Sequence, residues 1–138
     1  MAARDVFHEA VKAALVKDGW VITHDPLALS FGGVDLYIDL GAEKVIAAER
    51  GGQHIAVEIK SFSGPSLVSD FHTALGQFLN YRLALEVQDP DRHLYLAVPL
   101  DAHAAFFTLP FAQSAIHRYQ LKLLVYDGQT QEILQWQS

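Results

Sequence analysis

One short stretch limits what this chain can become. Residues Gln53 to Ser61, QHIAVEIKS, read as a buried strand with two charges set near its end. Side chains two apart in a strand point to one face. Glu58 and Lys60 therefore share a face with Ala56 and His54, while Val57 and Ile59 point the other way. A carboxylate and an ammonium on a mostly apolar strand carry a desolvation cost unless they pair or bind something. Three acids lie upstream: Asp35, Asp39 and Glu43. If strand pairing brings one of them beside Glu58, two carboxylates and a lysine converge, a seat for a hard divalent cation and a phosphate ester. The plain rival is a strand-end salt bridge between Glu58 and Lys60.

Pairing geometry decides which acid can join them. A tight turn at Gly51-Gly52 would set Val45 opposite Glu58 and Glu43 opposite Lys60. Asp39 would then lie on the order of 20 Å farther along, at ~3.3 Å per residue. On that register Glu43 is the partner by distance and Asp35 is remote. A bulge or bend at Gly41, or a looser turn, would bring Asp39 back into reach.

The rest of the chain supplies a frame for this strand. Asp5 to Lys17 has Phe7, Val11, Ala14 and Leu15 at helical spacing and stops before Gly19. Trp20 to Thr23 is a short strand. Leu27, Leu29 and Phe31 alternate into a hairpin turn at Gly32-Gly33, and Val34 to Leu40 returns. Lys44 to Glu49 extends again. Ser66 or Ser69 caps a helix over Val68 to Glu86, with Phe71, Leu75, Phe78, Leu79 and Leu83 on its apolar face. A strand over His93 to Val98 ends at Pro99. Helical turns follow over Ala102 to Phe107 and from Pro110 to Tyr119. Leu121 to Tyr126 is a strand, and Glu132 to Trp136 is a last strand at an edge, open to a partner or to a second copy of the chain. This order predicts one domain over residues 1–138, an α/β sandwich built on a mixed sheet.

Composition removes several function classes. The chain has 138 residues and no cysteine, which excludes disulfides, thiolate zinc sites and a cysteine nucleophile, and fits a cytoplasmic protein. No apolar run is long enough for a membrane span, and the first residues, MAARDVFHEA, have no signal-peptide core. No G-x-S-x-G elbow or phosphate-binding glycine loop is present. The net charge of -6 disfavours a broad nucleic-acid surface, leaving a local patch drawn from Arg4, Lys12, Lys17, Arg82, Arg92, Arg118 and Lys122. The seven histidines form no metal-binding spacing and read as surface or packing residues.

A helix, a hairpin carrying an acid and a Glu-x-Lys, then a helix and a strand resemble the PD-(D/E)xK nuclease superfamily, with its restriction-endonuclease-like three-layer sandwich. Glu58-Ile59-Lys60 looks like the (D/E)-x-K half, and Asp39 in Tyr37-Ile38-Asp39-Leu40 looks like the upstream acid; Ile38 stands where the motif has proline. Glu9 resembles the helical glutamate of the resolvase-like branch. Gln77 and Tyr81 resemble the Q-x-x-x-Y motif of the RecB-like branch. On these motif grounds Asp39 ranks ahead of Glu43 as the upstream acid. The segments KDGWVITHDPL, DLYIDLGAEKVIAAERG, IAVEIKSF, ALGQFLNYR, DRHLYLAV and ILQW resemble, over nearly the whole chain, the XisH family of fdxN-element excision controlling factors known from cyanobacteria.

These resemblances imply a protein linked to programmed excision of a DNA element, working with a companion controlling factor and a site-specific recombinase. They imply a Mg²⁺, with Mn²⁺ as its substitute, held by Asp39, Glu58 and the Ile59 carbonyl. Lys60 would orient the attacking water, Glu9 would hold a second ion or a water, and Gln77 and Tyr81, one helical turn apart, would face the site. The alternative is a catalytically silent regulatory protein on the same fold.

Overall fold

The computed structural model describes residues 3–45 and 52–138. The chain runs α1 (Ala3–Lys17), β1 (Val21–His24), β2 (Leu27–Phe31), β3 (Val34–Ile38), β4 (Leu40–Val45), β5 (Gly52–Ile59), α2 (Leu67–Gln88) and β6 (Arg92–Pro99). A short helix α3 (Leu100–Ala102) leads into a π turn (His103–Phe107), followed by α4 (Pro110–Tyr119), β7 (Leu123–Asp127) and β8 (Glu132–Gln137). Six strands form one sheet in the order β1-β4-β5-β6-β7-β8, while β2 and β3 pair apart as a hairpin. The central pairs β5–β6 and β6–β7 are parallel and the outer ones antiparallel, so the sheet is mixed.

Strand alternation sorts the core into two layers. Ala56, Leu96, Val98, Leu123 and Val125 face one way and pack with Phe71, Ala74 and Phe78 of α2 and Ala112 and Ile116 of α4. Their neighbours Ile55, Val57, Ala97, Leu124 and Tyr126 face the other way, onto Val11 and Leu15 of α1. A sheet buried on both faces needs such near-continuous apolar strands, and the helices supply the two outer layers of an α/β sandwich. Ser66 caps α2 by accepting from the Ser69 N–H, and Gly32 and Gly33, both at positive φ, make the tight turn between β2 and β3.

Two details of the hairpin region differ from the sequence expectation. Val34 to Leu40 is not one strand: the ladder with β2 ends at Ile38, Asp39 is a bend, and Leu40 begins β4 in the other sheet. Gly41 neither breaks nor bulges β4. It pairs with His24 on one side and Ala56 on the other, and the register irregularity falls on β1, between Ile22 and His24. A Cβ at Gly41 would sit 3.0 Å from His24 Nδ1 and 3.3 Å from Arg92 Nη1, so the glycine leaves room for His24 and Arg92. That buried guanidinium donates to the Asp89 carboxylate at 2.8 Å and to the Ile55 carbonyl at 2.9 Å.

The tight-turn register fails as well. Val45 lies opposite Gly52, not Glu58, and Glu43 lies opposite His54, not Lys60. Residues 46–51 therefore stand between the last paired positions, and the expected strand beyond Val45 lies outside the described residues. This register sets Leu40 opposite Val57, so the next position outward in each strand brings Asp39 beside Glu58. The distance objection to Asp39 disappears. The side chain of the rival acid Glu43 lies outside the described residues, and Asp35 sits on the separate hairpin, paired with Ser30.

Candidate active site

The site forms where the chain changes sheets. At the bend, Asp39 leaves the ladder, and its N–H would lack a partner. It donates to Glu58 Oε1 at 3.3 Å. In return the Ile59 N–H, at the end of β5, donates to Asp39 Oδ2 at 2.8 Å. Each carboxylate thus satisfies a backbone donor of the other's strand, and this reciprocal pair locks the two acids side by side. Both are buried, Asp39 at 7% and Glu58 at 5% exposure.

Lys60 follows on the same face as Glu58, its backbone held by the Ala97 carbonyl at 3.1 Å and its ammonium 3.5 Å from Glu58 Oε2. At Glu58 the Lys60 ammonium does not outweigh burial and the neighbouring acid. Burial, then the negative charge of Asp39, raise the Glu58 carboxyl from 4.5 to about 8, against the opposing pull of Lys60. The Glu58 carboxyl is therefore pushed toward its protonated form near neutral pH. The salt-bridge rival accounts for the Glu58–Lys60 contact but not for the reciprocal backbone hydrogen bonds that tie Asp39 to Glu58.

A cleft of about 470 Å³ opens over this pair, lined also by Phe7, His8, Tyr37, Ile59, Ser61, Gln77 and Tyr81. The structure thus brings Asp39, Glu58, Ile59, Lys60, Gln77 and Tyr81 together around one space. Gln77 and Tyr81 reach it from α2 because four residues is one helical turn. Gln77 Oε1 is buried with no hydrogen-bond partner among the described residues. Glu9 is the exception. It is exposed and does not line the cleft; the same helix turns His8 and Phe7 toward it instead.

Sequence reasoning passed over three polar members. Tyr37 lies two residues before Asp39, a spacing that signals a shared face. Ser61 directly follows Lys60. His8 shares a helix face with Lys12, four residues on, and both side chains reach Asp25, at 2.8 Å to Oδ1 and 2.8 Å to Oδ2.

Among the described residues no group of three or more His, Asp or Glu side chains is gathered where a metal ion could sit. A cation here would rest on two carboxylates and backbone oxygen. That donor set is all oxygen and dinegative once the shared proton leaves, which suits a hard cation such as Mg²⁺. Among the described residues no helix is long and apolar enough to cross a membrane.

Comparison with known proteins agrees with this architecture. The crystal structure of an XisH family protein from Nostoc punctiforme superimposes with a TM-score of 0.89 at 51% identity, covering 97% of this chain and 100% of that one. The crystal structure of an fdxN element excision controlling factor protein from Anabaena variabilis gives a TM-score of 0.88 at 55% identity, over 98% and 100% of the two chains. No curated protein matches the chain. The family described as XisH protein matches residues 1–134, and the chain belongs to that family.

Proposed function

We propose that this chain is a divalent-cation-dependent phosphodiesterase of the PD-(D/E)xK kind, acting on DNA during excision of a chromosomal element. The observation that carries the reading is the reciprocal lock of Asp39 and Glu58 with Lys60 beside them in an open cleft. Burial and the neighbouring acid make ionising Glu58 costly, and a cation between the two carboxylates would offset that cost. Asp39, Glu58 and the Ile59 carbonyl would hold the Mg²⁺, or a Mn²⁺ in its place, which would supply charge neutralisation at the phosphate and a more acidic water. Lys60 holds the attacking water and offsets charge developing on the phosphate oxygens. Gln77 donates its amide face or accepts through Oε1 at the substrate, and Tyr81 closes the α2 side of the cleft.

The Anabaena relative is described as an fdxN element excision controlling factor, and we carry that role to this chain. A companion controlling factor and a site-specific recombinase would then act in the same process, in the cytoplasm. The test is cleavage of linear and branched DNA in Mg²⁺ or Mn²⁺. Glu58→Ala and Lys60→Ala should each abolish cleavage, and cleavage that persists unchanged in both would end the assignment.

The net charge of -6 favours a second reading, in which the chain regulates excision by binding the companion factor and has no catalytic turnover. Capture of the companion by a protein with no calorimetric affinity for Mg²⁺ or Mn²⁺ would select it.

A further inference from the structure

We propose that His8, clamped by Asp25, is the general acid of this site and gives a proton to the oxygen that leaves as the phosphodiester breaks. The inference rests on the phosphodiesterase reading above. Hydrolysis expels a strongly basic alkoxide, so a proton donor at that oxygen speeds the reaction, typically about 10²–10⁴-fold, and works best when it titrates near the working pH. Imidazole is the side chain whose ordinary range lies there. The other polar groups around the cleft are placed for different work. Lys60 is paired with Glu58, and Asp39 and Glu58 bond each other's backbone. A tyrosine hydroxyl is by type a far weaker acid than an imidazolium.

The clamp makes His8 more than a bystander. Its Nε2 lies 2.8 Å from Asp25 Oδ1, and a carboxylate can only accept, so Nε2 carries the hydrogen. That leaves Nδ1 as the nitrogen that exchanges a proton. Burial alone would raise the Asp25 carboxyl, but the hydrogen bonds and charges of Lys12 and His8 outweigh it and hold it below its usual value. Asp25 stays ionised and can stabilise the imidazolium. Lys12, 2.8 Å from Asp25 Oδ2, fixes the carboxylate from the next helical turn. Asp25 and Lys12 are thus positioning residues, and His8 is the group that lines the cleft.

The step balances without any further reactant. The water oxygen bonds to phosphorus and its proton passes to solvent. The bond from phosphorus to the 3′-oxygen breaks, that oxygen takes the proton of His8, and His8 is reprotonated from solvent.

A DNA strand with an ordinary linkage at the cut site, compared with one carrying a 3′-bridging sulfur there, tests this directly, because thiolate leaves without a proton. His8→Gln should slow cleavage of the ordinary strand about a hundredfold or more and leave the sulfur strand within about threefold of wild type. Asp25→Asn should show the same split more weakly. In the metal-free protein, nitrogen NMR should find His8 as the Nε2–H tautomer in wild type. Equal loss on both strands, loss on neither, or an Nδ1–H tautomer would overturn the proposal while leaving the phosphodiesterase reading intact. If wild type cleaves neither strand, or Glu58→Gln and Lys60→Ala cleave both as wild type does, that reading fails and this one falls with it.

Discussion

The Glu58→Gln substitution should stabilise this protein, by an amount that grows with pH. In the folded, metal-free chain the Glu58 carboxyl is raised from 4.5 to about 8, first by burial and then by Asp39. Between those values the folded chain holds a proton that the unfolded chain has released. The stability this contributes is therefore complete below 4.5 and is lost as pH rises through 8. At about 1.4 kcal/mol per pH unit, the whole window corresponds to roughly 5 kcal/mol and the part passed by pH 7 to roughly 3 kcal/mol. Glutamine imitates the protonated carboxyl, and its Oε1 can still accept from the Asp39 N–H, so the variant escapes this loss. The assay is urea unfolding in EDTA at pH 5, 7 and 8.5, followed by tryptophan fluorescence. The two proteins should be nearly equal at pH 5, and the variant should be ahead by several kcal/mol at pH 8.5. Groups remote from Glu58 contribute alike in both proteins and cancel in the difference. A difference that stays constant with pH, or that favours wild type more at pH 8.5, would refute the argument that Asp39 and Glu58 form a buried, proton-sharing pair.

On the proposed reading, Mg²⁺ displaces the same proton. Calorimetry in buffers of different ionisation enthalpy should register about one proton released at pH 7, and affinity should rise about tenfold per pH unit between pH 5 and 8. Gly41→Ala should destabilise by about 1–3 kcal/mol in thermal unfolding, because the new methyl meets His24 at 3.0 Å and, at 3.3 Å, Arg92, which its bonds to Asp89 and Ile55 prevent from yielding. Phe62→Ala should cost about 3–5 kcal/mol in urea unfolding, since this ring is buried just past Lys60 and packs edge-on against Phe107 at 5.2 Å. Gln77→Met should leave stability unchanged or raise it by about 1 kcal/mol, by removing a buried acceptor without a partner, while DNA cleavage falls.

Much of this architecture was legible because the sheet is buried on two faces. Alternation along Ile55-Ala56-Val57-Glu58 sorted side chains correctly without any knowledge of strand order, and Glu58 and Lys60 do share a face. The Gln77–Tyr81 spacing worked for the same reason: a helical turn is local geometry. Register was not legible, because it depends on how many residues a connection consumes, and glycines at 51 and 52 signal a tight turn whether or not one forms. Glu9 failed on helix phase. A one-residue rotation turns His8 inward, and only the tertiary position of Asp25 reveals it.

The bend at Asp39 also explains why the site lies where it does. A chain that passes from a two-stranded hairpin to a six-stranded sheet leaves one sheet before it joins the other, and the residue between them has backbone groups that no ladder satisfies. Here the Asp39 N–H is met by Glu58, and the Ile59 N–H at the neighbouring strand end is met by Asp39. The carboxylates that would bind a cation are therefore also the groups that close the backbone at the switch. Asp39→Asn keeps an acceptor oxygen for the Ile59 N–H and should fold near wild-type stability while losing metal affinity. Asp39→Ala strands that N–H and should lose about 1–3 kcal/mol as well. If the two substitutions cost the same in urea unfolding, the Asp39 side chain is not what closes the backbone at this bend.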